Sequence, residues 1–302
     1  MALRHFLSLD DLSSKELKQI IRRSIDLKAE HKSGTIFEPL KNRVLALIFE
    51  NSSTRTRVSF ESAMAQFGGS TVFLSPQDSQ LSRGETIGDS ARVLSRLVDA
   101  IAVRTYEHKK LEAFSEHSNV PVINALSNQF HPCQLLADMQ TYQEHRGSIK
   151  GKNVLWVGDG NNVCNTFVQA ARLLDFKLTI ASPTKYAPAL ATNPKHADHC
   201  RLIETPEQAI SEADLVVTDA WCSMGQEDEA AQRAIDFQGY QVNEHLLQAA
   251  KKDTLFMHCL PAHRGQEVSE TLLDSHYSVA WDQAENRLHA QKALLEFLLC
   301  NV

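Results

Sequence analysis

An apolar run of six residues, Val44 to Phe49, leads directly into Glu50-Asn-Ser-Ser-Thr-Arg-Thr-Arg-Val-Ser-Phe-Glu61. No other stretch restricts the fold as much. A short continuous apolar run reads as a parallel strand buried on both faces. Phe60, Met64 and Phe67 then recur at helical spacing until Gly68-Gly69 stops the pattern. Ser53, Thr54, Arg55 and Thr56 therefore sit where a strand ends and a helix begins. The first N–H groups of a helix have no intrahelical partner, and the helix dipole adds positive potential there. Hydroxyls and a guanidinium in the same turn make an anion site, most naturally for a phosphate. The plainer reading is an N-cap with surface charges. Two arginines and three hydroxyls within residues 53–57 exceed what a cap needs.

The same alternation recurs along the chain. Leu9 to Leu27 reads as an amphipathic helix with a Ser13/Glu16 capping box. Strands are expected at Ser70–Leu74, Asp99–Arg104 and Pro121–Leu126. Helices are expected at Glu85–Val98, Lys109–His117 and His131–His145, the last with proline in its first turn, where proline is tolerated. A second half repeats the pattern: strand Asn153–Val157, helix Val163–Leu174, strand Lys177–Ala181, a polar segment to Thr205, strand Asp214–Thr218, helix Asn243–Ala250 and strand Leu255–His258. A helix from Ala284 to Leu299 closes the chain. The fold class expected is α/β, with two domains, each a mostly parallel sheet flanked by helices. The division falls near 137–150, giving 1–140 and 141–302. Ligands in such sheets sit beyond the carboxyl ends of the strands, often in a cleft between domains.

Composition excludes several functions. Of 302 residues, 43% are apolar and 23% charged, ordinary for a globular protein. The net charge of −6 offers no basic excess to neutralise a nucleic-acid backbone, so an anionic substrate needs a local basic pocket. The six cysteines form no CxxC pair, which fits a reducing cytoplasm. No run resembles a secretory signal or is long enough to span a bilayer.

Polar clusters gather at strand ends. Taken alone, Arg104 reads as a surface arginine, and so does Arg287 near the start of the last helix. His131-Pro132-Cys133-Gln134 opens a helix. Its histidine and glutamine, one turn apart, could both aim at one oxygen, or could simply start the helix. Val157-Gly158-Asp159-Gly160-Asn161-Asn162 raises a dinucleotide site, but Val163 stands where a third glycine belongs and no acid follows the next strand. The asparagines could instead bind a small ligand's carboxylate. Asp219, in Asp219-Ala-Trp-Cys-Ser-Met-Gly225, could hold an ammonium group or cap a helix. His258-Cys259-Leu260-Pro261 raises a nucleophile pair, weakened because adjacent strand residues face opposite ways. Zinc at His258, Cys259 and His263, or at His196, His199 and Cys200, lacks a clear ligand spacing.

Together, Ser-Thr-Arg-Thr-Arg, His-Pro-x-Gln and His-Cys-Leu-Pro, in this order and spacing, resemble the aspartate/ornithine carbamoyltransferase family over nearly the whole chain. Asp219 with Ser223-Met224-Gly225 points to its ornithine-using branch. The resemblance implies a carbamoyl phosphate domain, an ornithine domain, and a last helix, about 285–302, that returns to the first domain. It also implies a homotrimer or a multiple of it, no metal and no organic cofactor. Ser53, Thr54, Arg55 and Thr56 would cradle the phosphate with Arg104, and Gln80 would be lent by a neighbouring subunit. His131, Gln134, Arg287 and Thr56 would contact the carbamoyl group. Cys259 and Leu260 would face the reacting centre, Leu260 through its backbone. Asn162, Asp219, Ser223 and Met224 would contact ornithine. The implied catalytic set is Arg104, His131, Gln134, Asp219, Cys259 and Arg287.

Overall fold

Val44–Phe49 is strand β1, with only its first residue less than buried. The computed structural model describes residues 3–75, 84–222 and 225–300. It divides into two compact units, Met1–Gln140 with Glu285–Val302, and Thr141–Ala284.

In the first unit, helix α1 (Ser14–Lys32) precedes β1, α2 (Thr54–Gln66), β2 (Ser70–Leu74), α3 (Ile87–Leu94), β3 (Ala100–Arg104), α4 (His108–His117), β4 (Val122–Leu126) and α5 (Pro132–Arg146), whose last turns pass into the second unit. The described strands form a parallel sheet in the order β2-β1-β3-β4. The central strand β3, Ala-Ile-Ala-Val-Arg, is buried throughout, whereas edge strand β2 is only partly covered. One face packs Ile48, Ile101 and Val103 against Ala91, Leu111 and Phe114 of the flanking helices.

The second unit runs β5 (Asn153–Val157), α6 (Asn162–Leu174), β6 (Lys177–Ala181), β7 (Cys200–Ile203), β8 (Leu215–Thr218), α7 (Ala230–Asp236), α8 (Glu244–Gln248) and β9 (Leu255–His258). Its described strands pair in parallel in the order β7-β6-β5-β8-β9. The final helix α9 (Ala280–Leu299) begins in this unit, and its residues from Glu285 onward belong to the first. It packs back there through ion pairs and hydrogen bonds: Arg23 to Glu296 at 2.7 Å, Lys28 to Asn286 at 2.7 Å, Lys292 to Gln66 at 3.1 Å and Gln140 to Asn286 at 3.0 Å.

The elements depart from the sequence reading in several places, among them the closing helix, which starts at Ala280 rather than Ala284. The first helix starts at Ser14, after a separate 3-10 turn at Leu9–Asp11, because Ser13 and Glu16 close a capping box: Glu16 N–H donates to Ser13 Oγ at 3.3 Å and Ser13 N–H to the Glu16 carboxylate at 2.8 Å. Strand β7 and helix α7 were not anticipated. Cys-Arg-Leu-Ile lies at a sheet edge with two exposed residues, and α7 is short and polar, so neither leaves a clear apolar period. The helix expected over 85–98 is confined to Ile87–Leu94, with Thr86 as its N-cap.

Phe60 is fully buried on α2, the helix that carries the Ser53–Thr56 turn, whereas Lys109 is exposed on α4. Phe60→Ala should destabilise the first unit by about 3–5 kcal/mol, and Lys109→Ala by no more than about 0.5 kcal/mol. Urea unfolding followed by circular dichroism would measure both; equal midpoints would contradict this packing.

Candidate active site

Each sheet has one place where the strand order reverses. In the first unit the chain leaves β1 for β2 on one side and later takes up β3 on the other. The crevice beyond the carboxyl ends of two such strands is where open α/β sheets bind ligands. Residues 50–56 follow β1, and Arg104 ends β3, paired in register with Phe49. Glu50 clamps the two tips: its N–H donates to Arg104 O at 2.9 Å, and its carboxylate accepts from Thr105 Oγ1 at 2.6 Å and Lys110 Nζ at 2.8 Å.

Helix α2 begins at Thr54, and its N-cap, Ser53, makes no side-chain capping bond. The hydroxyl that ordinarily serves a helix start is thus not spent on one. Thr56 is buried and accepts from Arg287 Nη2 at 3.2 Å; Arg287 Nη1 donates to Gln134 Oε1 at 2.7 Å; Gln134 Nε2 donates to Asp138 Oδ1 at 2.8 Å. Four side chains from three helices therefore form one buried chain of hydrogen bonds, and Thr56, Gln134 and Arg287 among them are residues the sequence singles out.

His131 is also buried. Burial pushes its imidazole well below the usual histidine range, and Arg287, Arg104 and Arg55 push it further in the same direction. It is a neutral ring at physiological pH, able to donate a hydrogen bond without carrying charge. Asn124 and Ser127 shape the turn before it: Asn124 Nδ2 donates to Leu7 O at 2.8 Å and Phe130 O at 3.3 Å, and Phe130 N–H donates to Ser127 Oγ at 3.2 Å. Burial pushes the Cys133 thiol up to about 12, so it is no nucleophile.

In the second unit the order reverses between β5 and β8. The pairings Val157 with Thr218 and Thr218 with His258 bring three strand tips side by side, so Asn161, Asp219 and Cys259 meet. Asp219 Oδ2 accepts from Asn161 Nδ2 at 2.7 Å, and Oδ1 accepts from Ala220 N–H at 2.8 Å and the Cys259 thiol at 3.0 Å. Asn162 opens α6 half-buried beside them. Leu260 adopts a positive φ of 55°, and its N–H donates to His258 Nδ1 at 2.9 Å. His258 Nε2 faces the buried Glu267 carboxylate at 3.3 Å. Burial works to raise that carboxyl group, but the imidazole and the His263 N–H outweigh it and hold it below the usual carboxylate range.

The glycines of Val157–Asn162 have a packing explanation. Gly158 has φ +121°, and a side chain at Gly160 would collide with the Tyr186 carbonyl oxygen. Asn161 caps α6 by accepting from Val163 and Cys164 N–H, so this helix start satisfies itself, unlike that of α2. Among the described residues, Asp219, His258 and Cys259 are the one group of metal-ligating side chains whose atoms lie within 4.8 Å of one another. His263 is not part of it, and His196, His199 and Cys200 form no such group. Gln80, Ser223 and Met224 lie outside the described residues.

With this geometry in hand, family models match both units: "Aspartate/ornithine carbamoyltransferase, carbamoyl-P binding domain" over residues 4–144, and the corresponding "Asp/Orn binding domain" over 150–298. The chain belongs to the aspartate/ornithine carbamoyltransferase family. It is 60% identical to the ornithine carbamoyltransferase of Methylococcus capsulatus, covering 99% of each chain. It is 58% identical to the anabolic ornithine carbamoyltransferase of Pseudomonas aeruginosa, covering 99% of this chain and 98% of that one. Among solved structures, the ornithine carbamoyltransferase of Pyrococcus furiosus superposes with a TM-score of 0.94 at 47% identity, covering 99% of this chain and 98% of that one. That of Burkholderia thailandensis gives 0.92 at 48%, covering 99% of both.

Asp138, Glu50 and Glu267 have no role in the sequence reading, and Asn161 appears there only as a possible contact to a ligand's carboxylate. Asn161 was legible as an N-cap, but its hold on Asp219 depends on the β5–β8 pairing. Asp138 stands one helical turn after Gln134, a spacing that signals contact. Glu50 and Glu267 carry no local signal.

A neutral His131 makes a specific expectation. His131→Gln should lower kcat by about a hundredfold or more, the scale for losing a preplaced donor. The loss should be equal across pH 6–9. Steady-state profiles would test it; an inflection near 6.5 that disappears in the variant would mean that a titrating imidazole is used.

Proposed function

We propose that the chain is an ornithine carbamoyltransferase acting in the anabolic direction. It transfers the carbamoyl group of carbamoyl phosphate to the side-chain amine of L-ornithine, giving L-citrulline and phosphate, as in arginine biosynthesis. The observation that carries this reading is the contrast between the two strand-order reversals. One offers an uncapped helix start and arginines; the other offers a carboxylate held by an amide and a thiol. The first suits a phosphorylated electrophile and the second an amine, and the full-length likeness to proteins named for this activity supports the pairing.

In this reading residues 1–140 carry carbamoyl phosphate and 141–302 carry ornithine, with the last helix serving the first. Ser53, Thr54, Arg55, Thr56 and Arg104 grip the phosphate, and Gln80 joins them from a neighbouring subunit of a homotrimer. His131, Arg287 and Thr56 donate to the carbamoyl oxygen, and Gln134 holds the carbamoyl nitrogen. Asn162, Asp219, Ser223 and Met224 bind ornithine. The amine nitrogen attacks the carbamoyl carbon, the carbon–oxygen bond to phosphate breaks, and the nitrogen gives up a proton that ends on the departing phosphate. Charge grows on the carbonyl oxygen and the departing phosphate, where preplaced donors act most strongly.

The amine must be neutral to attack. With a pKa of about 10.4, neutralising it at pH 7 costs about 4–5 kcal/mol. Arginine charges near the carbamoyl site disfavour the ammonium form and lower that cost. Cys259, whose thiol donates to the Asp219 carboxylate, orients the amine and forms no covalent intermediate. The displacement as written needs neither metal nor organic cofactor. A cytoplasmic location fits the free cysteines of the described residues, among which no helix is long and apolar enough to cross a membrane.

A colorimetric ureido-product assay with ornithine, putrescine, N-acetylornithine and aspartate should give product with ornithine alone. Arg55→Ala should lose about a hundred- to a thousandfold in turnover while keeping the wild-type circular dichroism spectrum. Product from another amine in place of ornithine, or near-normal turnover in Arg55→Ala, would contradict the assignment.

A further inference from the structure

We propose that Asp138 is a specificity-determining positioning residue. Its carboxylate locks the Gln134 carboxamide with its oxygen turned toward Arg287, so that the site offers an acceptor and selects a carbamoyl NH₂ over the isosteric methyl of an acetyl group. The inference rests on the reading of the first unit as a carbamoyl phosphate site and adds to it a residue that fixes which acyl phosphate is taken.

Asp138 and Gln134 lie one turn apart on α5, and both side chains are buried. The two faces of the carboxamide meet partners of opposite kind. Gln134 Oε1 accepts from Arg287 Nη1 at 2.7 Å, and Gln134 Nε2 donates to Asp138 Oδ1 at 2.8 Å. A guanidinium can only donate, and an ionised carboxylate can only accept. Turning the amide over would set its NH₂ against the guanidinium and its oxygen against the carboxylate. Two charge-assisted bonds would become two repulsive contacts in a buried setting.

The consequence is a site of uneven polarity. The Arg287 guanidinium, the Thr56 hydroxyl proton and neutral His131 supply donors. Gln134 Oε1 supplies an acceptor, since an amide oxygen has two lone pairs and Arg287 Nη1 takes one. A carbamoyl group has an oxygen and an NH₂ of nearly equal size. Donors pick out the oxygen, but only an acceptor tells the NH₂ from a methyl. A site built to bind an N–H rejects an analogue lacking it strongly, because the buried acceptor is left unpaired.

The test compares the dissociation constants of carbamoyl phosphate and acetyl phosphate, by calorimetric titration without ornithine, in the wild-type protein and four variants. Asp138→Leu should weaken carbamoyl phosphate by about 10- to 100-fold and acetyl phosphate by less than about threefold, collapsing the discrimination. Asp138→Asn, which keeps the shape and folds if the leucine variant does not, should shift the ratio in the same direction by less. Gln134→Glu sets two carboxylates face to face and should also weaken carbamoyl phosphate. Adding Asp138→Asn to it restores a donor against an acceptor at unchanged total charge, and should recover most of the affinity. Equal weakening of both ligands in the Asp138 variants, unchanged discrimination, or no recovery in the double variant would overturn the lock. Wild-type protein that bound neither acyl phosphate would instead sink the proposed function, and this inference with it.

Discussion

The first unit's site depends on burying Arg287. A guanidinium removed from water needs acceptors for its fixed fork of donors, or the burial is strongly unfavourable. Arg287 finds them on two other helices: Thr56 on α2, 231 positions away, and Gln134 on α5, 153 positions away. Helix α9 is held against the first unit by its buried Leu294 and Leu295 together with Arg23–Glu296, Lys28–Asn286 and Lys292–Gln66, which brings the arginine within reach of both. The placement of the final helix and the assembly of the Thr56–Arg287–Gln134 hydrogen bonds therefore go together. His131 is buried too, and burial with the nearby arginines keeps its ring neutral, so it adds a donor without adding charge.

The two units use the same local geometry in opposite ways. Both place a strand tip, a turn and a helix start at a strand-order reversal. In α6 the cap side chain of Asn161 takes the first N–H groups for itself and spends its NH₂ on Asp219. That helix start is electrostatically closed, and the carboxylate beside it becomes the feature a ligand would meet. In α2 the Ser53 side chain makes no such bond, which leaves the positive end of the helix to an anion. A difference of one capping interaction leaves one helix start open and closes the other.

Much of this was legible in the sequence because it is local. Val44–Phe49, Asn153–Val157 and Leu255–His258 were readable as strands, since buried parallel strands leave continuous apolar runs, and their bounds agree with the structure. The Ser53–Thr56 turn was readable because hydroxyls and guanidiniums crowd a strand-to-helix junction. Strand β7 was not: an edge strand with half its side chains in solvent looks like loop. The union of Asn161, Asp219 and Cys259 was not legible from any one segment either, because it is made by the β5–β8–β9 pairing. Asp138 stayed hidden for a different reason. Its meaning lies in the direction of a neighbouring amide, which only a donor on one side and an acceptor on the other reveal.

The most direct measurement of the central claim is a crystal structure of the protein soaked with carbamoyl phosphate. The account predicts phosphoryl oxygens on the backbone N–H groups of the Ser53–Thr56 turn and on the guanidiniums of Arg55 and Arg104. The carbamoyl oxygen should face His131 and Arg287, and its nitrogen should face Gln134 Oε1. A phosphoryl group bound elsewhere, with that turn empty, would contradict it.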